Sequence, residues 1–196
     1  MSSVTVASPS AVPAIGTTLA RALADDPGWI YVFPHAPSRV RHMTGMLGTM
    51  VGRAYLGLGA TWATADGDAA AVWLPPGRRK VAWTTELGVF VRTGWRLRTR
   101  LVRAVRMHGM IERHAPSEPH YYLALLGVDP ARQGHGLGLQ VIQPALDACD
   151  RERTLAWLET SNPRNHGFYR RLGFVVADEV VVPRGPTVTF FARAPR

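Results

Sequence analysis

The feature that most constrains this chain is a junction. Tyr121 to Val128 is an apolar run, Gln133-Gly134-His135-Gly136-Leu137-Gly138 comes after it, and an apolar-periodic stretch continues to about Cys149. A short apolar run bounded by turn residues predicts a buried strand, and the periodic stretch predicts a helix. Strand, glycine turn and helix in that order make an anion site. The first N–H groups of a helix lack internal partners, and the helix dipole adds partial positive charge there. Glycines let the backbone close on a phosphate with no side chain in the way. The junction therefore reads as a pyrophosphate cradle.

The remaining pattern predicts an α/β domain with strands flanked by helices. A short strand is expected at 4–7, a helix at 14–24 and a second helix at 37–56, with Asp25-Asp26-Pro27-Gly28 breaking the chain between the two helices. Leu58 to Thr64 and Ala69 to Leu74 read as strands joined by the hairpin signal Asp66-Gly67-Asp68. Residues 81–114 read as helical with a break near Gly94. Beyond the glycine turn come a strand at 155–159, a short helix at 164–172 ended by Gly173, and two strands at 174–182 and 187–194. At 196 residues this is one domain, able to bury about 70% of its unfolded surface without a staple.

Composition excludes several classes. The lone Cys149 leaves no internal disulfide and fits a reducing compartment. No CxxC or HExxH pattern occurs, so no metal is expected. No apolar run approaches the roughly 20 residues of a membrane span. Met1 to Val12 lacks the basic start of a secretory signal, so a cytoplasmic location with no membrane partner is expected. The net charge is +9, and Lys80 is the one lysine among 23 basic residues. Arg92, Arg96, Arg100 and Arg103 are spaced to share one helix face, which reads first as a solvated face. Only Trp95 accompanies them, so a stacking platform for single strands has little support and nucleic acid is not the expected partner.

Two nucleotide loops compete for the glycine turn, and both fit poorly. The dinucleotide fingerprint wants a glycine where Leu139 stands, and a phosphate-loop lysine is impossible with Lys80 alone. What fits is Gln133, Gly136 and Gly138 after the turn Val128-Asp129-Pro130. This resembles the acyl-CoA loop of the GNAT family of N-acetyltransferases, [Arg/Gln]-x-x-Gly-x-[Gly/Ala]. A second element of that family follows in order, since Tyr169, Gly173 and Phe174 resemble its Tyr-x-x-x-Gly-Phe. Leu123 to Val180 is similar to the puromycin N-acetyltransferase-like subgroup, through Leu158-Glu159-Thr160-Ser161 and Pro163-Arg164-Asn165 as well. Upstream, Ala71-Val72-Trp73 and Glu118-Pro119 resemble the same subgroup.

The resemblance implies a GNAT fold, with a mixed, mostly antiparallel sheet splayed in the middle and flanked by helices. It implies a single N-acetyltransferase domain over 1–196, with 1–115 mainly on the acceptor side and 120–175 forming the acetyl-CoA core. The implied reaction is direct attack of a small-molecule primary amine on acetyl-CoA in a ternary complex, with an antibiotic or aminonucleoside among the acceptors. In such enzymes the strand before the turn bulges, which suits Gly127, and the main chain of Leu126 and Val128 would take the pantetheine amides. Gln133, Gly134, His135, Gly136, Leu137 and Gly138 would hold the pyrophosphate. Asn165 or Asn162 would bind the pantetheine arm or orient Tyr169, with Asn165 preferred, and Phe168 would join the cofactor-binding residues. Tyr169 would be the general acid. Glu159 is the first candidate for general base, ahead of His120, Glu118, Asp26 and His35. The acceptor pocket would draw on Trp29, Tyr31, Phe33, His35, Met43 and Met46, and on Trp83, Phe90 and Trp95. A homodimer, a protein or peptide acceptor, and a non-catalytic CoA- or nucleic-acid-binding regulator on the same fold stay open.

Overall fold

The computed structural model describes residues 3–78 and 98–196, with side chains in the second stretch from Val102 onward. Strand β1 (Val4–Val6) leads to helices α1 (Val12–Ala22), α2 (Pro27–Val32) and α3 (Ala36–Met50), then to the hairpin β2 (Thr61–Thr64) and β3 (Ala69–Leu74). Helix α4 (Arg98–His114) precedes β4 (His120–Val128), α5 (Leu137–Arg151), β5 (Leu155–Thr160), α6 (His166–Arg171), β6 (Val175–Val181) and β7 (Thr187–Arg193). The sheet has seven strands in the order β1-β2-β3-β4-β5-β7-β6. Every neighbouring pair is antiparallel except β4 and β5, which are parallel and joined through α5. A parallel pair needs such a crossover, whereas antiparallel neighbours close with short turns.

Both faces of the sheet are covered. Ile15 and Leu19 of α1 and Met43 and Leu47 of α3 pack on Val72 and Leu74 of β3. Val141, Ile142, Leu146 and Cys149 of α5 pack on Trp73, Leu123 and Leu158 from the other side. A third cluster joins Met110 and Ile111 of α4 to Trp157 and Phe190. Helices α1 and α3 touch through glycine, since a Cβ on Gly16 would lie 2.8 Å from Gly48 Cα.

Three expectations need correction. Asp25-Asp26-Pro27-Gly28 ends α1, but it also starts α2, which was not expected. Asp26 accepts hydrogen bonds from Gly28 N (2.9 Å) and Trp29 N (3.4 Å), and Pro27 occupies the first turn, where its missing N–H costs nothing. The α-helix expected to Leu56 ends at Met50 and continues as a π turn and a 3-10 turn to Gly59, whose φ of 68° closes it. Strand β2 therefore begins at Thr61 instead of Leu58. Residues 81–97 of the long helical expectation lie outside the described residues, as do Arg92, Arg96, Trp83, Phe90 and Trp95.

The arginine face also departs from a purely solvated one. Arg103 donates from Nη1 to Tyr31 O (3.0 Å), and its guanidinium lies 5.3 Å from the centre of the Tyr31 ring, tying α4 to α2. Among the described residues, no helix is long and apolar enough to cross a membrane.

Candidate functional site

The sheet opens where the junction begins. Parallel rungs between β4 and β5 run from His120↔Leu155 to Leu123↔Leu158 and stop there. At the same place β4 slips against β3: Val72 pairs with Leu125 and Trp73 with Leu123, leaving Ala124 as an extra residue. The bulge is therefore at Ala124 and not at Gly127, which pairs in register with Ala70. A bulge reverses the side-chain alternation beyond it. Tyr121 and Leu123 belong to the core under α5, while Leu125 belongs to the core under α1. Gly127 has a different reason for its size: a Cβ there would come within 2.9 Å of Ala22 Cβ and 3.0 Å of Leu19 Cδ2, so α1 lies directly on it.

Beyond the bulge the backbone directions follow. Asp129 N donates to Asp68 O (2.8 Å) on the β3 side, so the alternate residues Leu126 and Val128 turn their main-chain groups toward the missing β5 rungs. The Val128 carbonyl takes one hydrogen bond, from Gln133 Nε2 (3.3 Å).

The glycine turn is built for backbone exposure. Gly134 (φ 83°) and Gly136 (φ 75°) are in the left-handed region, and a Cβ on either would meet nothing within 4 Å. Helix α5 starts at Leu137 with no side-chain cap and no acidic residue in its first turn. Its first N–H groups are thus left for an outside acceptor. Gly138 lets α5 approach the strand and α6, since its Cβ would contact Val128 Cγ2 and Phe168. Asp129 braces the turn by capping Ala131 N (2.9 Å) and pairing with Arg21 (3.0 Å), and Arg132 pairs with Asp68 (2.9 Å). The His135 ring is folded back, with Nδ1 at 2.9 Å from Gln133 O.

On the other side of the opening lies a cavity of about 200 Å³, walled by β4, the end of β5, α2, α4 and α6. Tyr169, Asn165, Glu159, Ser161 and Asp26 all face it. Tyr169 is 6% exposed and is wedged between the rings of Phe168 and Phe174. Its place is fixed by a helix cap: Gly173 (φ 91°) ends α6 and Phe174 N donates to Tyr169 O (3.1 Å). Burial, and then the negative charges of Asp26 and Glu159, push the Tyr169 phenol above its usual pKa. Glu159 Oε1 accepts from the Tyr122 hydroxyl at 2.6 Å. Asp26 Oδ1 accepts from Ser161 Oγ (2.6 Å) as well as from the two α2 N–H groups, and burial raises its carboxyl despite these bonds.

The other expected residues are distributed unequally. Asn165 reaches Thr160 Oγ1 (3.4 Å) on the cavity wall, whereas Asn162 caps Arg164 N (3.1 Å). Trp29 faces the cavity, while Phe33, Met43 and Met46 are core. His35 bonds Ser38 (2.8 Å), and His120 bonds the Glu118 carbonyl (2.7 Å). Neither histidine nor Glu118 is among the residues lining the cavity. Sequence reasoning missed Tyr122, Ser161, His108 and Glu112 as cavity residues. Ser161 alone had a readable signal, its adjacency to Glu159 at a strand end. Among the described residues no cluster of His, Cys, Asp or Glu could hold a metal ion.

Known proteins share this fold. An uncharacterized N-acetyltransferase of Schizosaccharomyces pombe is 27% identical over 186 residues, covering 85% of this chain and 72% of that one. A solved structure described as histone acetyltransferase HPA2 and related acetyltransferase, from Corynebacterium glutamicum, superposes with a TM-score of 0.71 at 20% identity, covering 100% of this chain and 98% of that one. Arylalkylamine N-acetyltransferase 2 of Aedes aegypti gives 0.65 at 14% identity over 99% of both chains. An agmatine N-acetyltransferase gives 0.64 at 16% over 98% of both. Such low identities establish a common fold. Residues 60–174, more than half of the chain, match the Acetyltransferase (GNAT) family itself, and the protein therefore belongs to the GNAT family of N-acetyltransferase enzymes.

Proposed function

We propose that this protein transfers the acetyl group of acetyl-CoA to a primary amine of a small molecule, by direct attack with both substrates bound. The observation that carries the reading is the parting of β4 from β5, with the glycine turn at one end and Tyr169 with two carboxylates at the other. The residues fit the donor. The main-chain groups of Leu126 and Val128 that face the missing rungs suit the pantetheine amides, as an added strand would, with Gln133 Nε2 yielding the Val128 carbonyl. The turn Gln133–Gly138 suits a pyrophosphate through the uncapped start of α5. Gly127 contributes by letting α1 close over β4. Asn165 and Phe168 flank the opening, and Asn162 acts through the turn that it caps.

When bound, acetyl-CoA supplies the thioester carbonyl to be attacked. Tyr169 supplies the proton for the departing sulfur, and its buried setting keeps that proton in place until it is needed. Glu159 and Asp26, with Glu112 on the α4 wall, are the carboxylates that an incoming ammonium would meet. Trp29, Met50, Tyr55, Leu74, Met107 and Ile111 give the cavity apolar walls for the body of an amine. Neighbours of the same fold are described as acting on agmatine and on arylalkylamines. The resemblance to puromycin N-acetyltransferase adds aminonucleosides and antibiotic amines to the acceptors worth testing. The buried lone Cys149 fits a reducing compartment, the cytoplasm.

The test has two readouts. Acetyl-CoA at about 100 times its Kd should stabilise the fold by about 2.7 kcal/mol, a Tm rise of roughly 5–10 °C for a domain of this size. A screen of arylalkylamines, diamines, aminonucleosides, amino acids and peptides should then release CoA with the small amines first. No thermal shift and no turnover with any amine would sink the reading.

A further inference from the structure

We propose that Asp26 Oδ2 takes the first proton from the acceptor's ammonium group, with Ser161 positioning the carboxylate. This rests on the acetyl-transfer reading above. Asp26 is the N-cap of α2, yet it also faces the cavity that holds Tyr169. Its two oxygens are used differently. Oδ1 is locked by three donors, Ser161 Oγ at 2.6 Å, Gly28 N at 2.9 Å and Trp29 N at 3.4 Å. Oδ2 has no hydrogen bond among the described residues. A carboxylate pinned through one oxygen presents the other in a fixed direction, which is what a proton acceptor needs. Ser161 is pinned in turn, because it accepts from Gly28 N at 2.8 Å while donating to Asp26. Gly28 has no room for a side chain here: a Cβ would lie 2.7 Å from Ser161 Oγ.

Glu159 has a different set of contacts. Its Oε1 is held by Tyr122 at 2.6 Å, which ties it to β4. The remaining titratable groups on the cavity wall are Tyr169 of α6, Tyr122 of β4, Tyr55 of the π turn after α3, and His108 and Glu112 of α4, the last two pairing with each other at 3.5 Å. Asp25, next to Asp26, is exposed and faces Arg39 at 4.0 Å. Among the described residues no lysine or arginine lines the cavity, so an ammonium entering it meets no fixed basic competitor there.

The proton count closes. The ammonium gives one proton to Asp26, leaving a neutral amine. Its nitrogen lone pair forms the new C–N bond as the C–S bond breaks. Tyr169 gives its proton to the departing sulfur, and the second amine proton returns to the Tyr169 oxygen. Asp26 releases its proton to solvent, so one ammonium and one thioester give one amide, one thiol and one proton.

The experiment compares wild type with Asp26→Asn on two acceptors, an alkylamine and a weakly basic aniline that is already neutral at pH 7. Asparagine keeps an acceptor for the α2 cap. With the alkylamine, kcat/KM should fall about 100- to 1000-fold, and the deficit should shrink as pH rises and more free amine is present. With the aniline the loss should stay below about 10-fold, since there is no ammonium proton to remove. Equal losses on both acceptors would make Asp26 merely structural, and no loss on the alkylamine would remove it altogether. Wild type that acetylates no amine would sink the parent reading together with this one. Ser161→Ala keeps the question open to refutation if the first variant fails to fold. It removes a hydrogen bond to the ionised carboxylate, so the acidic limb of kcat/KM should move to higher pH. A limb that stays or moves to lower pH would overturn the proposal.

Discussion

A phenol buried to 6% exposure, and under the negative charge of Asp26 and Glu159, holds its proton harder than one in water. Raised above its ordinary value near 10, Tyr169 stays protonated through the range where a solvated tyrosine would titrate. Turnover should therefore show no alkaline decline due to Tyr169 up to about pH 10. Tyr169→Phe should lower kcat about 100-fold while leaving acetyl-CoA affinity within a few-fold; unchanged kcat would take Tyr169 out of the mechanism. A second pair matters for stability alone. Asp150 binds Arg193 through both oxygens at 2.7 Å, and Arg193 is 4% exposed. Asp150→Ala would strand that buried guanidinium at a cost of about 3–5 kcal/mol in urea denaturation at neutral pH. The guanidinium holds the Asp150 carboxyl below its usual range. Its stabilisation is therefore complete above about pH 4 and is lost as the pH falls toward the lowered folded value. The gap between wild type and variant should narrow in the same window.

At the scale of elements, closeness depends on what is missing. Gly16 lies against the backbone of Gly48 and Thr44, atoms that cannot rotate away. Alanine is worth up to about 1 kcal/mol more than glycine inside a helix, but overpacking costs about 1–3 kcal/mol. Gly16→Ala should therefore lower the melting temperature, and a variant melting at or above wild type would contradict the tight α1–α3 crossing. The elements differ in how legible they are in the sequence. The α6 cap was readable because Gly173, Phe174 and Tyr169 are close in sequence and each has a local backbone role. The Ala124 bulge was not. Tyr121 to Val128 is apolar throughout, and both faces of the sheet are buried, so nothing in the residue types marks where the alternation reverses. Gly127 looked like the irregular position, but its small size serves the contact with α1. The start of α2 hid inside a Pro-Gly pair that also reads as a stop.

For the whole molecule, charge is divided by place. The chain carries +9, yet the described charged carboxylates and bases of the cavity wall are Asp26, Glu112 and Glu159 against His108. On the acetyl-transfer reading, a polyphosphate donor would approach a positively charged protein, whereas an ammonium would have to cross the same field to reach an acidic cavity. Raising ionic strength from about 0.01 M to about 1 M cuts the screening length from about 30 Å to about 3 Å. The KM for acetyl-CoA should rise several-fold over that range, while the KM of a cationic amine should fall or hold steady. Parallel rises in both would show that the surface charge does not sort the two substrates.

The bond between Asp26 and Ser161 joins residues 135 positions apart. At 5–20 residues per second, a ribosome needs roughly 7–27 seconds to add the second after the first. Until then the Asp26 carboxylate lacks that hydroxyl. A chain stalled or truncated before Ser161 therefore carries the carboxylate without this geometry.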